Sequence, residues 1–206
     1  MCLTNPVDAP WEPFAPVEVA ELFRPLSCPW WIAGGYAIEY VVGRPFRPHG
    51  DIDVLILRRD QAVVRDFLAD WDVWAADPPG TLRRWDRAET LSEAVHDVWV
   101  RRMSTMAWQL QLMLDEAEGD EWVARRDPRI RRPVTSLKVT TAPQIPFLRP
   151  EVILFYKGRA PRAKDWLDLE MVWPLLNPRQ RTWLVDAVST AYGTSSPWYS
   201  WLIAMK

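Results

Sequence analysis

Cysteine is scarce in this chain. Two residues, Cys2 and Cys28, among 206 exclude a disulfide framework and fit a reducing compartment. Neither has a Cys or His at metal-ligand spacing, which argues against a structural zinc. Glycine is also sparse, with 8 residues and no G-x-y period, so a collagen-like chain is excluded. Charge of one sign is missing too. The 25 basic and 27 acidic residues leave a net charge of -2, unlike the basic excess of a protein that coats nucleic acid. No apolar run approaches the roughly 18 residues of a membrane span. The opening MCLTNPVDAPWEPFAP is broken by prolines and lacks the charged start and apolar run of a signal peptide, so the expected location is cytoplasmic.

What is present is the composition of an ordinary folded globule, 49% hydrophobic and 25% charged, which also excludes a disordered chain. The length suits one domain, or one core with a small appendage, and can bury about 70% of the unfolded surface. Tryptophan is frequent, at 14 residues; each brings a large buried area and one donor that needs a partner.

Periodicity divides the chain near Pro143–Pro150. Residues 1–16 read as an irregular arm and Val17–Phe23 as a short helix. Trp30–Ala33 is a short apolar run, and Gly34-Gly35 opens a helix through Val42, ended by Gly43 and Pro45. Asp51–Leu57 (DIDVLIL) reads as a buried strand. Asp60 is placed to cap a helix carrying Val63, Val64, Phe67 and Leu68. Strands are expected at Trp71–Ala75, Val95–Arg101, Trp108–Glu116, Glu121–Arg125 and, at an edge, Val134–Thr140. The Asp77–Thr90 stretch reads as loop. Beyond Pro150 only helical spacing remains, in Glu151–Gly158, Ala163–Leu175, Pro178–Thr190 and Trp198–Met205. The expectation is an α/β core over 1–145, with a mixed sheet flanked by helices, followed by a helical region over 146–206 packed on it.

Chemistry concentrates in Trp30–Leu57, WWIAGGYAIEYVVGRPFRPHGDIDVLIL. On a strand, Asp51 and Asp53 point to one face about 6.6 Å apart. Two carboxylates so placed at the head of an apolar strand repel with little screening unless a cation lies between them. Mg²⁺, which selects carboxylate oxygens, suits that place. The alternative is a solvated strand start beside Arg47 and His49. The glycines favour the first reading, because a Gly-Gly helix start lets a phosphate approach backbone N–H groups closely. A phosphate cradle followed by a metal-binding acid pair is what phosphoryl transfer needs.

These motifs, WIAGGYAIE and GRPFRPHGDIDV, resemble the signature of the nucleotidyltransferase superfamily of the DNA polymerase beta type. Within it, the chain is most similar to the small aminoglycoside and lincosamide nucleotidyltransferases and to a group of bacterial homologues. The likeness to that group extends through Trp122–Pro133 and Pro150–Leu176, and covers about three quarters of the chain. It implies that Gly34 and Gly35 hold a nucleoside triphosphate through backbone N–H groups. It implies that Asp51 and Asp53 bind Mg²⁺, two ions in all, and that Arg47, His49 and Lys157 lie near the phosphates. His49 as a loop residue capping a strand is the alternative. The implied reaction carries a nucleoside monophosphate from the triphosphate to a hydroxyl of a small-molecule acceptor, with neither DNA nor RNA as partner.

The chain departs from the family at one point. The third carboxylate expected on the Trp108–Glu116 strand falls at Gln111, and an amide can neither act as base nor add negative charge. Asp115 shares the face of Gln111 about 13 Å further along and is the candidate displaced catalytic acid; an acid at an exposed turn is its other reading. His96 and Asp97 are candidates to line the acceptor pocket or simply to end a strand. Asp165 and Asp168 share a helix face and are expected to pair with Lys164, Arg162 or Arg159. Two further functions stay open. One is a nucleotide-binding or partner-binding module that has lost turnover through Gln111. The other is a D-x-D glycosyltransferase, against which the Gly-Gly helix start argues.

Overall fold

The computed structural model describes residues 6–140 and 144–205. Cys2, the first five residues of the arm and Pro143 lie outside them. In chain order come α1 (Pro16–Phe23), β1 (Trp30–Ile32), α2 (Gly34–Val42), β2 (Asp53–Leu57) and α3 (Gln61–Phe67). The strands β3 (Asp72–Ala76), β4 (Leu82–Arg84), β5 (Asp97–Arg101), β6 (Leu110–Glu118), β7 (Glu121–Val123), β8 (Arg131–Pro133), β9 (Lys138–Thr140) and β10 (Pro146–Leu148) follow. The helices α4 (Pro150–Lys157), α5 (Ala163–Val172), α6 (Pro178–Tyr192) and α7 (Pro197–Ala204) come last.

The strands form one mixed sheet in the order β4-β3-β5-β6-β2-β1-β10-β9, with β7 and β8 continuing from β6. Two neighbours run parallel, β2 with β6 and β1 with β10. The α/β expectation therefore holds, with helices following the sheet. Central β2 carries an unbroken apolar run, and Val54 to Leu57 are all buried, as befits a strand covered on both faces. Its register sets the site: Asp53 lies opposite Gln111 on β6, and the Ala33 N–H donates to the Asp53 carbonyl at 2.8 Å.

The strand β4 falls in the stretch read as loop, and β8 in one for which no element was expected. Both are three residues long and rich in arginine, too short and charged for an apolar period to register. The stretch Val134–Thr140 starts as a 3-10 turn and becomes strand only at Lys138. Asp60 precedes α3 but makes no capping hydrogen bond with its side chain. Past residue 145, where the helical region was expected to begin, β10 enters the sheet between β1 and β9. A three-residue strand flanked by prolines carries no period of its own, and its partner lies more than a hundred residues earlier in sequence.

Aromatic packing accounts for many of the tryptophans. Trp11 meets Trp99 edge-on at 5.0 Å, and Trp99 meets Trp108 at 5.6 Å. The arm is therefore tied down, with the Trp108 N–H donating to the Pro10 carbonyl and the Glu12 N–H to that of Trp108. In the helical region Trp166 contacts Trp198 at 5.8 Å and Trp173 contacts Trp201 at 5.8 Å. Trp173 and Trp198 belong to the core, and Trp166 and Trp201 pack against it.

The helical region packs on α2 of the α/β part. Helix α4 is buried from Pro150 to Phe155 and packs against α2, α5 and α6. Phe147 of β10 stacks on Tyr40 of α2 at 4.5 Å. Isolated helices of 8 to 15 residues are marginal in water without such partners. Fragments 1–145 and 146–206, expressed separately, are accordingly expected to show no cooperative thermal transition by circular dichroism. A sharp transition in either would contradict this dependence.

Candidate active site

Helix α2 starts at Gly34, where the backbone turns through a φ of +58°. The first N–H groups of a helix have no intrahelical acceptor and point outward. A side chain at Gly34 is excluded by more than conformation: a Cβ there would overlap the Asp53 carboxylate. At Gly35 a Cβ would run into the His49 ring and come within 2.7 Å of Arg47 Nη2. The glycines thus admit an acid from β2 and a basic turn from the preceding loop to the same helix end. Sequence reading gave them the phosphate role alone; this steric role is an addition.

Asp51 lies just ahead of β2 and Asp53 opens it, and both line one cleft with Gly34, Gly35, Arg47 and His49. Burial, reinforced by the charge of Asp51, pushes the Asp53 carboxyl up to about 7, with Lys157 and Lys164 pulling the other way. A hard divalent cation would remove that penalty. Among the described residues no group of three or more His, Cys, Asp or Glu is arranged to hold a metal. Asp51 and Asp53 offer a pair of carboxylates, a donor set that would suit Mg²⁺ ligated additionally by water and substrate phosphates.

The basic residues are held by a second set of acids. Arg47 makes a fork to Asp168 of α5, Nε to Oδ1 at 2.7 Å and Nη2 to Oδ2 at 2.9 Å. Its Nη1 lies 3.1 Å from His49 Nδ1. Guanidinium can only donate, so Nδ1 accepts, and in the neutral ring the proton sits on Nε2, which faces Glu39 Oε2 at 3.2 Å. The His49 ring lies on Tyr36, centroids 4.5 Å apart. Lys157 ends α4 and bridges Asp165 Oδ1 at 2.9 Å and Asp168 Oδ2 at 3.0 Å. Burial alone would raise the Asp165 carboxyl, but hydrogen bonds from Arg162 and Lys157 hold it well below the usual range. Of the partners expected for the two helix acids, Arg162 is found at Asp165; the others are Lys157 and Arg47.

Gln111 takes the place beside Asp53 as expected, and its Nε2 donates to Asp97 Oδ1 at 3.2 Å. Asp97 is close enough to raise the Asp53 carboxyl. The structure does not bring Asp115 to this point. It lies opposite Leu57, fully buried, where it accepts from Trp122 Nε1 at 2.7 Å and from the Tyr156 hydroxyl at 2.7 and 2.8 Å. Residue 115 keeps the face of residue 111, but Tyr156 and Trp122 close over it. Burial pushes its carboxyl up to about 6, against Arg125 and the two hydrogen bonds. Sequence reading placed it in the site because strand parity carries no information about what covers a residue.

The cleft encloses about 580 Å³. Its lining also includes the apolar Leu55, Met113, Leu148 and Ile153 and the basic Arg125, Arg126 and Arg159. No described helix is long and apolar enough to cross a membrane.

An acid pair at the head of a central strand, set against a glycine helix start in a mixed sheet, is the arrangement that the resemblance to the nucleotidyltransferases implied. The family model of the aminoglycoside-2''-adenylyltransferases matches residues 17–172, and the chain belongs to that family. Its fold is similar to that of the lincosamide antibiotic adenylyltransferase LnuA, solved with lincomycin bound. The TM-score is 0.52 at 15% identity, over 78% of this chain and 95% of that one. It is similar as well to the antibiotic-resistance factor ANT(2'')-Ia in solution, with TM-score 0.55 and 16% identity over 86% and 91% of the two chains. The crystal structure of ANT(2'')-Ia with adenylyl-2''-tobramycin gives 0.53 and 13% over 84% and 95%. No curated protein matches the chain in sequence.

Two outcomes follow from this geometry. Gly34→Ala combines an unfavourable φ with overlap on Asp53 and is expected to cost about 1–3 kcal/mol in urea denaturation. For Asp115, folding raises the carboxyl from 3.8 to about 6, so the folded state keeps the proton longer than the unfolded one. Stability from this group therefore falls as pH rises from about 4 to about 6. Asp115→Asn is expected to lack that part of the slope in urea midpoints measured across the interval; an unchanged slope would refute the assignment.

Proposed function

We propose that the chain transfers a nucleoside monophosphate from a Mg²⁺-bound nucleoside triphosphate, ATP in the first instance, to a hydroxyl of a small-molecule acceptor. The observation that carries this reading is the packing of the Asp53 carboxylate against the backbone of Gly34, which joins an acid pair to a helix N-terminus at one point. Asp51 and Asp53 hold the metal. Bound there, Mg²⁺ supplies charge neutralisation to the triphosphate and its in-line displacement.

The N–H groups of Gly34 and Gly35 receive phosphate oxygens. Arg47, His49 and Lys157 stand around the same end. Arg47 and Lys157 are already fixed by Asp168 and Asp165, so these cations are positioned before the nucleotide arrives. Gln111 cannot take the acceptor's proton. We assign that to Asp97, which holds the Gln111 amide. A net charge of -2 offers no support for a polynucleotide acceptor. The amide beside Asp53 favours a second reading, a module that binds nucleotide without turnover.

Thermal shift with Mg²⁺ and ATP tests the site, because ligand that binds only the folded state raises the melting temperature. Asp51→Asn and Asp53→Asn are expected to keep their transition and lose the Mg²⁺-dependent shift; parent-like shifts in both would remove the proposed metal site. Asp97→Asn is expected to slow pyrophosphate release by about 10²-fold or more, whereas Gln111→Glu, with Asp97 already serving as base, is expected to change it little. If the parent binds ATP and neither it nor Gln111→Glu ever releases pyrophosphate, the binding module is the correct reading.

A further inference from the structure

Three tryptophans stand apart from the hydrophobic core. Among the described residues Trp11, Trp74 and Trp99 belong neither to the core cluster nor to the side chains packed against it, and all three are half-buried. They gather around Trp108 instead, with Trp99 at 5.6 Å and Trp74 at 6.5 Å, and Trp11 meets Trp99 at 5.0 Å. Indole N–H groups inside a protein usually find an acceptor. Trp74 donates to Asp72, Trp108 to the Pro6 carbonyl and Trp122 to Asp115. The indole N–H groups of Trp11 and Trp99 have no acceptor among the described residues.

Two of these indoles lie on the face that carries the acid pair. Residues directly opposite one another in a ladder share a face. Asp53 is opposite Gln111, Gln111 is opposite Trp99, and Trp99 is opposite Trp74. One row of side chains thus crosses four strands, from the cleft acid to two indoles. Asp97 precedes Trp99 by two residues on β5, so it shares that face about 7 Å along the strand. Trp11 comes from the arm, which lies outside the family match over residues 17–172. The arm is pinned beside the start of β6, where the Phe14 N–H donates to the Gln109 carbonyl at 3.1 Å, two residues before Gln111.

In-line displacement decides which side of the acid pair the acceptor uses. A triphosphate at the start of α2 lies on the β1 side of β2, and pyrophosphate leaves to that side. The attacking hydroxyl enters from the opposite side, over β6 and β5, where Gln111, Asp97 and Trp99 stand.

We propose that Trp11 and Trp99 determine the acceptor specificity of the cleft. They form a platform for the C–H face of a saturated, hydroxylated ring of the hexopyranose type, with two indole N–H groups free to donate to its oxygens and a ring hydroxyl within reach of Asp97. The arm is this chain's own wall of the acceptor subsite. The assignment deepens the nucleotidyl-transfer reading and rests on it.

The probe is methyl α-D-glucopyranoside, added to the full chain saturated with Mg²⁺ and α,β-methylene-ATP, which cannot transfer its nucleotide. Saturation-transfer difference NMR with irradiation of the aromatic protons is expected to show transfer to the ring C–H protons of the glucoside. Trp11→Ala and Trp99→Leu are expected to weaken the glucoside by about tenfold and to leave the affinity of the analogue, read by calorimetry, unchanged. Trp11→Phe, which keeps an aromatic face, is expected to retain most of the binding.

The proposal is overturned if the loaded parent shows no transfer, or if Trp11→Ala and Trp99→Leu bind the glucoside as the parent does. Equal loss of analogue and glucoside in both variants overturns it as well, because the arm then only supports the sheet. If the parent binds no analogue yet loses the glucoside on either substitution, the transfer reading fails and the ring platform stands.

Discussion

The buried carboxylate of Asp168 is the contact on which the cleft depends. It sits on α5 with its side chain fully buried and takes Arg47 from the loop before β2 and Lys157 from the end of α4. Three segments, one of them 121 residues upstream, thus share one charge. Removing a partner from such a group strands a buried ion, at about 3–5 kcal/mol. Arg47, once fixed, sets the His49 Nδ1 contact, and His49 lies on Tyr36 in the first turn of α2. The glycine turn and the C-terminal helices therefore form one electrostatic unit. The cleft cannot be understood as a property of the sheet with helices added.

Against this paired framework, one place in the cleft is left out of balance. Asp53 lies beside Asp51, with its carboxyl pushed up to about 7 by burial and by that neighbouring charge. The imbalance opposes folding. Rules of local consistency that fail in a cavity, while holding elsewhere, mark where a protein gives up stability to bind something.

The arrangement of Trp30–Leu57 was legible because it is local. Apolar period, helix-opening glycines and the D-x-D spacing all act within one β-α-β segment, and α2 begins and ends where its glycines place it. The strands β3, β5 and β6 were legible for the same reason. What escaped were contacts made across the chain. The strand β10 is defined only by its partner β1, and the partners of Asp168 lie on two other segments. Asp115 illustrates the limit most clearly. Parity on β6 gave its face correctly, but burial depends on Tyr156, 41 residues later. Asp97 was visible only as a candidate, since its link to Gln111 runs between strands.

The parallel pairing of β1 with β10 has a consequence for how the protein is made. Ile32 faces Phe147, so the inner edge of the sheet stays open until the segment carrying Phe147 has left the ribosome. Until then β1 presents unpaired backbone and apolar side chains to the cell, the state in which strands join the wrong chain. A pairing so distant in sequence also slows the search for the native topology. The nascent chain thus has a long window in which a chaperone has something to hold, and the window closes only when the last third of the polypeptide arrives.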